Sequence, residues 1–165
     1  LFNGNLYENL IERGISKETI PNLIGDFQIG LEEQRKIKLF NGAKEMLEKL
    51  SKDNKLVVIT SNVTRVVEES LKLKNIDCFE EVIGADKETS KVKKIEAVKS
   101  KYEGNNYFYI GDTKGDIIEG RKAGVKTIAV TWGWHSEEKL KEEHPDFIVR
   151  TPMELADLFK NSDGL

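Results

Sequence analysis

From about residue 40 to its end, this sequence predicts an α/β fold in three layers, a parallel sheet covered by helices on both faces. Three observations predict it. Short apolar runs alternate with amphipathic stretches, the pattern of a parallel sheet wrapped by helices. The clearest run, Leu56-Val57-Val58-Ile59, is unbroken, which suits a strand buried on both faces. The polar residues able to do chemistry fall at the C-terminal ends of such runs, where open α/β sheets bind their ligands.

Residues 1–39 lack this alternation and predict a small helical cap lying over a site, with an α/β core over residues 40–165. Leu6, Leu10 and Ile11 recur at helical spacing until Gly14 breaks the pattern. Ser16 with Thr19 and Ile20 resembles a second, capped helix start, and a longer helix is expected over about residues 29–38. Asn41-Gly42 marks a turn, after which Ala43, Met46, Leu47 and Leu50 repeat as the apolar stripe of an amphipathic helix. Strand 55–60, helix 63–73, a strand within 78–83 and helix 90–102 come next, the last with Thr89 or Ser90 as N-cap. Then come strand 107–110, helix 117–123 stopped by Gly124, strand 126–130 and a short strand at 147–149. Thr151-Pro152-Met153-Glu154 opens the final helix, with Thr151 as N-cap and Pro152 at the first helical position, where its missing N–H costs nothing.

Composition excludes several classes. A chain of 165 residues suits one domain. A net charge of −3 offers no electrostatic footprint for nucleic acid, and no apolar run is long enough to span a membrane. No secretory signal pattern opens the sequence. The single cysteine, Cys78, rules out an internal disulfide framework and suits a reducing, cytoplasmic setting. Its surroundings, Ile76-Asp77-Cys78-Phe79, read as core packing.

The stretch Tyr109-Ile110-Gly111-Asp112-Thr113-Lys114-Gly115-Asp116 carries most of the chemical information. A buried strand running into glycine would present two carboxylates at its tip. Two acids near one point repel, unless a hard cation such as Mg²⁺ takes their oxygens. The competing reading is an acidic surface turn in which Asp116 caps the helix starting at Ile117. At the end of Leu56–Ile59, Thr60-Ser61-Asn62 either caps the next helix or forms an anion site of hydroxyl and backbone N–H groups. Ser90-Lys91 opens another helix, where a lysine sits slightly unfavourably against the helix dipole and a phosphate would give it a use. Lys93 and Lys94 keep that assignment open, although Lys94 would lie one turn further from a strand tip. His135, after Trp132-Gly133-Trp134, could line the mouth of the site, and the two tryptophans could line that mouth or a dimer face. His144 precedes Pro145 as a loop residue, and the two histidines have no metal-ligand spacing.

Together these pieces, with the tail Ala123-Gly124-Val125-Lys126-Thr127-Ile128-Ala129-Val130-Thr131-Trp132-Gly133, Pro145-Asp146-Phe147-Ile148-Val149 and Thr151-Pro152-Met153-Glu154-Leu155, resemble the haloacid dehalogenase-like hydrolase superfamily, in its phosphoglycolate phosphatase-like branch. The resemblance covers most of residues 40–159. It implies a Rossmann-like core and a Mg²⁺-dependent phosphatase acting on a small phosphorylated metabolite. By the same resemblance Thr60 binds the phosphate, Ser61 and Asn62 contact phosphate or leaving group, and Lys91 neutralises phosphoryl oxygens. Asp112 ligates Mg²⁺, while Asp116 supports the metal shell or orients Lys91. A monomer or homodimer is expected.

The nucleophile that the resemblance implies, an aspartate in an Asp-x-Asp-Gly-Thr-like motif on a central strand, is not in this sequence. Asp26-Phe27-Gln28-Ile29-Gly30 is a poor imitation in a helical region. Leu1-Phe2-Asn3-Gly4-Asn5 looks like the segment just after that motif, so the motif strand is expected upstream, between the strands ending at Thr60 and Gly111. Residues 1–165 alone are then expected to show little phosphatase activity. The alternatives are a catalytically silent binding module built on the same fold, or a phosphomutase.

Overall fold

The computed structural model describes residue 11, residues 14–18, 38–104 and 106–160. The readings at Leu6, Leu10, Thr19, Ile20, Asp26 to Gly30 and the helix up to residue 37 lie outside these. At Gly14 the expected break is present: φ is +83°, and its N–H donates to the Ile11 carbonyl at 2.9 Å. The chain forms two units, residues 1–38 with 55–94, and residues 39–54 with 95–165.

In the first unit, β1 (Leu56–Ile59) pairs in parallel with β2 (Phe79–Ile83), with Leu56 opposite Phe79 and Ile59 opposite Ile83. The connection is α2 (Thr64–Leu73), numbered after α1 (Ala43–Leu50) of the second unit, and it packs on β2. Its end explains the tight return. Asn75 takes the left-handed conformation at φ 52°, which Asn tolerates better than most residues. The N–H groups of Asn75 and Ile76 then satisfy the carbonyls of Lys72 and Leu71, a Schellman stop that buries Ile76. The helix α3 (Lys91–Lys101) begins in this unit.

The burial expected for the Leu-Val-Val-Ile run is not found. All four residues of β1 are half-buried, because among the described strands β1 pairs with β2 alone.

The second unit holds β3 (Phe108–Gly111), β4 (Lys126–Val130) and β5 (Phe147–Val149), parallel and in that order. Phe108 stands opposite Lys126, Gly111 opposite Ala129 and Val130 opposite Val149. Here β4 is the central strand, and Thr127 to Val130 are buried as an unbroken apolar run should be. The edge strand β3 is half-buried, and its Ile110 is exposed, again because it pairs on one side among the described strands. The helix α4 (Lys114–Lys122) packs on β3 and β4. It ends at Gly124, φ +67°, in the same double-bonded stop as α2, as the sequence predicts. α5 (Glu137–Lys141) lies beside α4, and α6 (Pro152–Lys160) packs against β5 and α1. Ile117, Ala129 and Leu140 meet in a fully buried cluster with Ile148 against it. Burying such aliphatic side chains stabilises a fold by about 1.5–3 kcal/mol each.

Two boundaries differ from expectation. The sequence gives no sign of α5, because Glu-Glu-Lys-Leu-Lys offers one apolar residue, Leu140, and no period. The start of α4 comes at Lys114, not Ile117, since Thr113 and not Asp116 is its N-cap.

Candidate active site

The tip of β1 continues the ladder for one residue: the Thr60 N–H donates to the Ile83 carbonyl at 3.1 Å. The Thr60 hydroxyl turns to its own loop and accepts the Asn62 N–H at 3.1 Å. Neither Thr60 nor Ser61 caps α2, which corrects one expectation. Val63 is the N-cap residue and offers no side-chain acceptor. The cap comes from Asp86, in the loop after β2, whose Oδ1 accepts the Thr64 N–H at 2.6 Å and the Thr64 hydroxyl at 2.9 Å. The Thr64 hydroxyl in turn accepts the Gly84 N–H at 3.0 Å, and the Ala85 N–H donates to the Asn62 carbonyl at 2.8 Å. Desolvation, the largest single effect, pushes the Asp86 carboxyl up, but the two donors of Thr64, its own backbone N–H and the charge of Lys87 together hold the pKa below the usual value.

At this tip the ammonium of Lys94 donates to the Thr60 carbonyl at 2.6 Å, and Lys94 is 1% exposed. Lys94 therefore does reach the strand tip, contrary to the distance expected from its place one turn into the helix. Its four-carbon stem spans the gap while packing as an apolar side chain. Lys91 is the first residue of α3 and half-buried. Ser90 precedes it as expected for an N-cap, its hydroxyl accepting the Lys93 N–H at 3.4 Å.

The tip of β3 is built around two close approaches. A Cβ at Gly111 would collide with the side chain of Asp116, so only glycine lets that carboxylate lie against the strand end. Asp116 is the third residue of α4 and buried. Its Oδ2 accepts the Thr113 N–H at 3.1 Å and the Thr113 hydroxyl at 2.7 Å, while its Oδ1 accepts the Tyr109 hydroxyl at 3.3 Å. The Thr113 hydroxyl accepts the Asp116 N–H at 3.1 Å, which closes a capping box. Burial and the neighbouring Asp116 push the Tyr109 phenol well above its ordinary value, so it stays a donor.

Asp112 is held from the other side. Its Oδ2 accepts the Trp134 N–H at 2.8 Å, and its carbonyl accepts the His135 N–H at 3.1 Å. A Cβ at Gly133 would collide with the Asp112 carboxylate, so this approach also requires glycine. His135 is 5% exposed, and its Nδ1 accepts the Lys114 N–H at 3.0 Å, which assigns the ring hydrogen to Nε2. Burial, then the positive charge of Lys139, lowers the imidazole pKa, with Asp112 opposing. The Trp134 side chain is 76% exposed and Trp132 is half-buried. The Lys114 ammonium is drawn off to Glu142 at 2.7 Å and Glu143 at 3.0 Å. His144 is an exposed loop residue with φ 50°, as predicted.

The donor set fits Mg²⁺ in a limited way. Asp112 Oδ1 accepts no hydrogen bond among the described residues, so one hard oxygen is available. Mg²⁺ commonly binds through one or two carboxylates and keeps several waters. Both Asp116 oxygens accept hydrogen bonds, from Thr113 and Tyr109, so this carboxylate ties the turn after β3 together. No three His, Cys, Asp or Glu side chains gather into a metal cluster among the described residues.

The sequence profile of the haloacid dehalogenase-like hydrolases matches residues 2–130. The chain belongs to that family. Within it, the chain falls in the phosphoglycolate phosphatase-like branch. It is similar to "Pyrophosphatase PpaX" of Halalkalibacterium halodurans, 28% identical over 128 residues, covering 72% of this chain and 59% of the relative. It is also similar to "Phosphoglycolate phosphatase" of Haemophilus influenzae, 31% identical over 119 residues, covering 67% of this chain and 53% of the relative. The chain thus spans little more than half the length of these two relatives. The solved structure of a predicted phosphatase from Clostridium acetobutylicum superposes with a TM-score of 0.79 at 24% identity, covering 96% of this chain and 78% of that one, and shows the shared α/β Rossmann-like fold.

For this family member, sequence reasoning missed Asp86 and the loop of residues 131–136 as supports. Asp86 had a signal. Gly84-Ala85-Asp86 comes after β2 much as Gly111-Asp112 comes at the end of β3, a glycine and an acid at a strand tip.

Proposed function

We propose that the protein is a Mg²⁺-dependent phosphatase that hydrolyses a small phosphomonoester, with phosphoglycolate-like molecules as the substrate class. The observation that carries this is Asp112, a carboxylate at the C-terminal tip of a parallel strand, with one oxygen fixed by the Trp134 N–H and the other accepting no hydrogen bond among the described residues. Asp112 would hold the cation, which when bound supplies positive charge to the phosphoryl oxygens. Within the first unit, the Thr60 and Ser61 hydroxyls, the Ser61 N–H and the Asn62 side-chain amide would offer donors to a phosphate. A lysine ammonium adds charge at the same tip, and Lys94, already on the Thr60 carbonyl, is the stronger candidate beside Lys91. Asp116 fixes the turn between β3 and α4 and so the backbone that carries Asp112. Such parts suit phosphoryl transfer, which depends on positioning and charge stabilisation.

Residues 1–165 contain no Asp-x-Asp-Gly-Thr-like motif, and the assay is made on the protein as the cell produces it. There, p-nitrophenyl phosphate should be hydrolysed with Mg²⁺ and not with EDTA. Asp112→Asn should lower kcat/KM by about 10²–10³-fold, the scale for removing one preorganised charge-stabilising group. Activity untouched by Asp112→Asn would end the metal assignment.

No helix of the described residues is long and apolar enough to cross a membrane. A cytoplasmic setting and a monomeric or homodimeric state complete the proposal.

A further inference from the structure

The Asp112 carboxylate is not fixed by its own strand. We infer that residues 131–136, between β4 and α5, form a clasp that sets Asp112 for its cation, and that His135 is the pin of that clasp, a positioning residue acting through Asp112. The inference rests on the metal reading of the β3 tip.

Four contacts join this loop to the tip: the close approach of Gly133 to the carboxylate, the Trp134 N–H on Oδ2, the His135 N–H on the Asp112 carbonyl, and the His135 ring on the Lys114 N–H. Of these four, the last alone is made by a side chain of the loop. The first turn of a helix leaves its N–H groups without helical partners. In α4 the Thr113 hydroxyl takes the Asp116 N–H and His135 Nδ1 takes the Lys114 N–H. The ring is therefore locked to the helix just after Asp112, while its own backbone is locked to Asp112. Rotation of the imidazole would strand a buried polar ring and a helix N–H together, a costly combination. With the ring in place, the Trp134 and His135 N–H groups cannot drift from Asp112. His135 is too buried to meet a substrate. Its effect must pass through the carboxylate it helps hold.

The test is Mg²⁺ titration by isothermal calorimetry on the protein in its native reading frame, with amide hydrogen exchange read in parallel at Trp134. His135→Asn keeps an acceptor near the Nδ1 position. His135→Leu keeps bulk without an acceptor, and His135→Gln moves the acceptor outward. His135→Leu and His135→Gln should raise the Mg²⁺ Kd about 10–100-fold, the usual scale for groups that support a metal ligand. His135→Asn should restore affinity close to that of the native protein. The Trp134 amide should stay protected in His135→Asn and lose protection in the other two, while amides of β4 stay protected in all. Native affinity in His135→Leu, or equal affinities in His135→Asn and His135→Gln, would overturn the inference; the second comparison stands even if His135→Leu does not fold. No Mg²⁺ binding by the native protein, or binding unchanged in Asp112→Asn, would overturn the metal reading itself, and the inference with it.

Discussion

The two strand tips are held by the same device with its polarity reversed. At β1, the loop after the neighbouring strand β2 brings a carboxylate, Asp86, to donors on the tip's own chain, the N–H and hydroxyl of Thr64. At β3, the loop after the neighbouring strand β4 brings donors, the N–H groups of Trp134 and His135, to an acid on the tip's own chain, Asp112. In both cases a glycine permits the approach, Gly84 in one and Gly133 in the other. The contrast matches the roles proposed for the two tips. The first presents hydroxyl, amides and ammonium and suits an anion. The second presents an oxygen acid whose position is fixed from outside and suits a cation. The strands differ in a related way: β1 and β3 are half-buried and pair on one side among the described strands, and β4 is buried between two partners.

The largest effect on this contrast should come from Gly133→Ala, which pushes a methyl group against the Asp112 carboxylate. Misplacing a site by about 1 Å can cost about 10²-fold in rate, and kcat/KM for p-nitrophenyl phosphate should fall on that scale. A rate within about twofold of the native protein would mean almost no lost transition-state stabilisation, and so a clasp that tolerates the methyl group. Next comes core packing. Ile128→Ala, at a fully buried position of β4, should cost about 2–5 kcal/mol in urea unfolding. Val58→Ala, in half-buried β1, should cost clearly less, and equal costs would erase the distinction between edge and centre.

Smaller still are the caps. Thr113→Ala and Asp86→Ala should each cost about 1 kcal/mol, measured by the same unfolding curves, with Asp86→Ala also raising KM because it frees the β1 tip. The smallest effect is on the acid side. The Asp86 carboxyl is lowered on balance, its desolvation outweighed by the Thr64 donors together with its own backbone N–H and Lys87, and the Asp146 carboxyl is lowered chiefly by the Thr127 N–H. A carboxyl whose pKa is depressed by folding adds stability that is present above its unfolded value, about 3.9, and lost as pH falls through the folded value. The acid limb of a plot of Tm against pH should therefore flatten in the double variant Asp86→Asn, Asp146→Asn.

Much of this was legible in the sequence because its signals are local. Alternating apolar runs located the five described strands, and Gly124 and Thr151-Pro152 marked helix ends correctly. The motif Gly111-Asp112 located the β3 tip. Three things were not legible, for three physical reasons. Burial of β1 depends on how many strands pair with it, which the run Leu56–Ile59 does not encode. The choice between Asp116 and Thr113 as N-cap depends on which side chain folds back, and a capping box contains both. The support of Asp112 by Trp134 and His135 comes through backbone N–H groups 22 and 23 positions away, and backbone donors leave no mark in a sequence.

In the proposed site Asp112, and not Asp116, meets the cation. The most direct measurement is anomalous diffraction from crystals of the protein in its native reading frame soaked in Mn²⁺, an oxygen-seeking substitute for Mg²⁺. An anomalous peak is expected against Asp112 Oδ1, absent in Asp112→Asn, with both Asp116 oxygens still bonded to Thr113 and Tyr109. A peak on Asp116, or one that survives in Asp112→Asn, would contradict it.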